Sequence, residues 1–81
     1  MGETESNGLG ERIDRVYMVL HDVDDPNGSR TWFAGEAETT YSTVWRWVRG
    51  EVEPNALAMR LLDRLEKKAD RKLARQKKAE S

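Results

Sequence analysis

An all-α fold of four or five helices, with an extended basic helix at the C-terminal end, is the class that this sequence predicts. Three observations predict it. Apolar residues recur at steps of three and four in separate stretches, the period of one face of a helix. Clusters of Pro, Gly, Asn and Asp separate those stretches. The last third carries leucines at helical spacing and then fills with Lys and Arg. With 81 residues the chain makes one domain. A domain this short buries only about 60% of its unfolded surface, so each large apolar side chain matters to stability.

Residues 1 to 8 (MGETESNG) are polar and without periodicity, the composition of a disordered lead. The predicted domain runs over residues 9–66. Leu9, Ile13, Val16, Tyr17 and Leu20 define the apolar face of a first helix, with Arg12, Asp14 and Arg15 off it. Turn formers then concentrate in Asp22 to Ser29, where Pro26 and Asn27-Gly28 stop the helix and Ser29 is placed to cap the next one. A second helix is expected from about Arg30 to Ala37, followed by a break around Glu38 to Tyr41. Val44, Trp47 and Val48 mark a short third helix, which Gly50 is suited to terminate in a left-handed conformation. Pro54 or Asn55 opens a last helix with Leu57, Leu61, Leu62, Leu65, Ala69 and Leu73 on one face. Residues 67–81 form a basic extension or tail, read either as a solvated helix end or as a second electrostatic contact with DNA or another acidic partner.

The net charge of −1 hides an uneven distribution. Residues 1–54 carry 5 Arg against 11 acids, giving −6, and residues 55–81 carry 9 Lys or Arg against 4 acids, giving +5. Thr39 to Gly50 contains Arg46 and Arg49 and no acid, so a nucleic-acid partner is compatible with the local charge. There is no cysteine and a single histidine, His21, which leaves no thiolate site, no disulfide framework and no expected metal or cofactor. His21 falls near the end of the first helix, where an imidazole favours the negative helix end. Asp22, Asp24 and Asp25 lack the twelve-position calcium loop and read as a solvated turn. No catalytic set of nucleophile, base and orienting group assembles, so an enzyme is not expected. No apolar run approaches the roughly 20 residues needed to cross a bilayer, and the acidic start is unlike a secretion signal. A cytoplasmic, soluble protein is the expectation.

The middle of the chain narrows the function. Phe33 and Ala34 follow Arg30 by three and four residues, an apolar and a small side chain that let two helices cross closely, and Ala37, Val44 and Trp47 continue the inward positions. The run TTYSTVWRWVRGEVEP has a Ser/Thr-rich start, Val44, Trp47, then Arg49-Gly50-Glu51 and Pro54. In these residues the chain, from about Arg30 to Leu65, resembles the lambda-repressor, Cro and Xre family of helix-turn-helix regulators. Two residues depart from that pattern. Glu38 stands where glycine is frequent, which demands a left-handed backbone or a longer turn, and Thr39 replaces an apolar residue.

The resemblance implies a repressor-like helix-turn-helix domain that binds double-stranded DNA, regulates transcription and acts as a homodimer, because one unit reads few base pairs. Carried over by position, Tyr41, Ser42 and Arg46 are the base readers, while Thr40, Thr43, Arg49 and Arg30 contact the backbone or assist. The residue types fit that chemistry: short polar groups at the helix N-terminus allow close approach, and longer donors follow. The corresponding bland reading of Arg46 and Arg49 is a solvated helix surface. Trp47 is expected in the core, and Trp32 on the flank of the second helix. Trp45 points away from the core, over the last helix, toward DNA sugars or toward a protein partner. The competing function is a helical protein-interaction module without DNA affinity, using Trp32, Trp45 and the acidic first helix.

Overall fold

The structure, a computed structural model, describes residues 8–80, with side chains through residue 76. All of the expected lead except Gly8 lies outside the described residues, as do the side chains of Lys77 and Lys78. Four helices make up the described chain: α1 (Leu9–His21), α2 (Ser29–Glu36), α3 (Tyr41–Arg49) and α4 (Ala56–Glu80). The all-helical expectation is met with four rather than five. Among the described residues no helix is long and apolar enough to cross a membrane.

The core is built where the apolar faces of all four helices meet. Leu9, Ile13 and Val16 of α1, Phe33 and Ala34 of α2, Val44, Trp47 and Val48 of α3, and Ala58, Leu62 and Leu65 of α4 form one buried cluster. Helix α1 ends when Asp22 takes a left-handed conformation (φ 56°) and its N–H turns back to the carbonyls of Met18 and Val19. A side chain from α4 helps to close that end: Lys72 Nζ donates to the Leu20 carbonyl at 3.2 Å. His21 lies 4.4 Å, ring centre to ring centre, from Tyr17 and meets Trp32 edge-on at 5.3 Å. Trp32 therefore packs on the aromatic end of α1 as well as covering its own helix.

Ser29 is not the cap of α2. Gly28 is, at φ 92°, and Ser29 is already helical, 2% exposed, with its hydroxyl donating to Asp14. The turn arrives at α2 through a left-handed residue, which glycine adopts without steric cost and which excludes the extended backbone of a side-chain cap. The helix bounds also lie one residue earlier than Arg30 to Ala37. Between α2 and α3 the connection stays short, because Glu38 accepts a left-handed backbone (φ 56°) instead of lengthening the turn. The Thr39 N–H then reaches back to the Ala34 carbonyl at 2.9 Å.

Asn55 opens α4, its Oδ1 accepting the Ala58 N–H at 2.8 Å. The stripe facing the core is Ala58, Leu62, Leu65 and Ala69. Leu57 does not belong to it and is 73% exposed. At 3.6 residues per turn it stands about 100° round the helix from Ala58. Leu61 lies at the edge of the stripe, and Leu73 has the right phase but extends past the core, at 36% exposure. Arg12 joins α1 to α4 by a two-pronged bond to Glu66, at 2.8 and 2.7 Å, and reaches Asp63 at 3.3 Å.

Candidate functional site

Helix α3 has two unlike faces. Val44, Trp47 and Val48 are buried, and this large apolar anchor fixes the rotation of the helix about its axis. The same rotation turns Tyr41, Ser42, Trp45, Arg46 and Arg49 outward, and all five are exposed. Their spacing places them along a single helical face.

The N-terminal end of that face is organised by Thr40. Its backbone is extended (φ −99°, ψ 158°), and its hydroxyl oxygen accepts the Thr43 N–H at 3.2 Å while lying 2.9 Å from the Thr43 hydroxyl. Thr40 and Thr43 thus hold each other and the first turn, leaving Ser42 as the outward hydroxyl. The opposite end closes at Gly50, left-handed at φ 80°, whose N–H returns to the carbonyls of Arg46 and Trp47. Arg46 and Arg49 stand in the last turn, where cations complement the helix dipole.

Arg49 is held in place from two sides. Its guanidinium lies 4.4 Å above the centre of the Trp45 ring, and its Nε is 3.3 Å from Glu51 Oε2. Both contacts are exposed, so each contributes no more than about 1 kcal/mol and yields readily to another anion. Arg46 has no ion-pair partner among the described residues.

The structure brings Tyr41, Ser42, Thr43, Arg46 and Arg49 together on α3, with Thr40 capping its N-terminus. Arg30 stands apart, in the first turn of α2, with its guanidinium 3.7 Å from Asp14 Oδ2. It borders the α3 face across a shallow concavity that Asp14, Gly28, Arg30 and Tyr41 line. Two residues outside the expected set belong to the site. Trp45 lines a second shallow groove with Tyr41, Ser42, Arg46 and Glu51, which contains no α4 residue. The sequence turns Trp45 away from the core without choosing among the last helix, DNA sugars and a protein partner, and its spacing of four from both Tyr41 and Arg49 puts it on their face. Glu51 enters through its bond to Arg49 and brings a negative charge to an otherwise cationic face.

Comparison with known proteins finds no matching family model, no matching curated protein and no matching solved structure. Function has to be read from the side chains of this chain.

Proposed function

We propose that this chain is a repressor-like helix-turn-helix protein that lays α3 in the major groove of double-stranded DNA and regulates transcription. One observation carries the reading: the exposed face of α3 presents Tyr41, Ser42, Trp45, Arg46 and Arg49, with no acid on the helix, while its other face is locked into the core. A helix is about 10–12 Å across with its side chains, and the major groove is about 12 Å wide. A rigidly seated, outward-facing cationic helix of this kind suits groove insertion. In this arrangement Tyr41, Ser42 and Arg46 read base edges. Thr40, Thr43 and Arg49 face the phosphates near the two ends of α3, and Arg30 assists from the start of α2.

The second reading is a protein-binding surface. It is favoured by the exposure of two aromatic rings on the same face, Tyr41 at 50% and Trp45 at 38%. Fluorescence anisotropy with a pool of random duplexes, at low and moderate salt, followed by selection of bound sequences, distinguishes the two. The DNA reading expects binding that weakens with salt and a selected pool that converges on one site. Absence of binding at low salt overturns it and leaves the protein-binding surface.

A further inference from the structure

Leu57 is the most exposed of the large apolar side chains described, at 73%. It does not stand alone. Leu61 follows one turn later and is part-buried against the core, and Arg60 and Arg64 complete a stripe of positions 57, 60, 61 and 64 on one face of α4. Glu36, Ala37 and Glu38, at the end of α2, line the same shallow groove. The groove therefore joins apolar Leu57 and Leu61 to two carboxylates carried by the end of α2 and its turn and two guanidinium groups carried by α4. None of these four charged groups forms an ion pair with a described residue.

That pattern is self-complementary. A two-fold rotation brings the carboxylates of one copy against the guanidinium groups of another and sets the leucines of both together. A partner of one charge sign would satisfy half of the patch and be repelled by the other half. We propose that this face is the interface of a homodimer, in which Leu57 and Leu61 pack against the second copy and Glu36 and Glu38 face its Arg60 and Arg64. The interface is independent of the DNA reading, since none of its residues belongs to the exposed face of α3. Its test is run without DNA, so that failure of one leaves the other standing.

Sedimentation velocity across the micromolar range is expected to give twice the chain mass at the upper concentrations. Leu57→Glu removes the apolar side chain at an exposed position and is expected to weaken association at least about tenfold. Circular dichroism should remain unchanged. A paired charge reversal gives the specific readout. One chain carrying Glu36→Arg and Glu38→Arg, and another carrying Arg60→Glu and Arg64→Glu, should each be monomeric alone and form a dimer when mixed. A monomeric wild type overturns the proposal. So does a Leu57→Glu protein that dimerises as tightly as wild type, or a mixture of the two folded charge variants that stays monomeric.

Discussion

Arg46 and Arg49 stand three residues apart on one helical face, yet their surroundings differ. Arg46 is exposed and has no ion-pair partner among the described residues, so its fork of donors is available to a guanine edge. Arg49 lies over the Trp45 ring beside Glu51, toward the helix end, where a phosphate would compete with the carboxylate. If these are their roles, the two alanine variants differ in kind. Arg46→Ala is expected to lose about 1–3 kcal/mol on a selected site and to discriminate poorly between sites. Arg49→Ala should weaken all duplexes alike and lower the salt slope of binding by about one counterion per subunit. Affinities of both variants for a selected and a scrambled duplex, at several salt concentrations, provide the comparison. Unchanged binding in both would take α3 out of the interface. Glu51→Gln adds an opposite prediction: with the competing carboxylate neutralised, every duplex should bind more tightly at low salt, and unaltered affinity would mean that Arg49 does not meet phosphate.

At the level of elements, the turn between α2 and α3 decides how the outer face of α3 is presented. Glu38 holds a left-handed backbone there at a cost of roughly 1–2 kcal/mol. Glu38→Gly removes that strain but adds about 0.5–1 kcal/mol of chain entropy to the unfolded state. The expected net gain of about 0.5–1 kcal/mol raises the thermal midpoint by roughly 2–8 °C. Because Glu38 also lines the proposed dimer face, the melt belongs in a Leu57→Glu background, where association does not add to stability. A lower midpoint would show that the glutamate side chain makes a contact worth more than the strain. Trp47→Ala acts on the other anchor of α3 and is expected to cost about 3–5 kcal/mol, enough to unfold a domain of this size. A melting curve at the wild-type position would mean that the indole is not buried. The Gly50 stop and the spacing of Val44, Trp47 and Val48 were legible in the sequence because they rest on local chemistry, whereas the Thr40 cap was seen only in the structure. The role of Ser29 was not legible either, since its partner is Asp14 on another helix and the left-handed approach through Gly28 depends on how the α1–α2 loop closes. Leu57 was placed in the core because leucines at helical spacing leave the phase of the stripe undetermined, and small Ala58 sets it by packing against the core. The outward direction of Trp45 was legible from its spacing to Trp47, whereas the bond of Glu51 to Arg49 depends on the path of the chain after Gly50.

Across the whole molecule, the acidic first part and the basic last part of the chain are brought together by the packing of α1 on α4, and Arg12 forms an ion pair between them. The hydrogen bond from Arg12 holds the Glu66 carboxyl below its ordinary value, with the charge attraction of Arg12 and Arg15 adding to it and partial burial opposing it. A carboxylate depressed on folding stabilises the protein above its unfolded pKa, and that contribution disappears as pH falls through the folded value. The part-exposed position limits the effect to no more than about 1 kcal/mol. Thermal midpoints of wild type should therefore be insensitive to this group near neutral pH and decline on the acid side of the ordinary carboxylate range. Glu66→Gln abolishes the titration while conserving shape, so the variant should melt below wild type at neutral pH and the two curves should converge once Glu66 is protonated in the folded state. The same convergence is expected of Arg12→Met, which removes the partner and keeps much of the apolar stem. If the gap between wild type and Glu66→Gln were as wide in acid as at neutral pH, the loss would come from packing rather than charge, and the α1–α4 junction would be held by its apolar contacts alone.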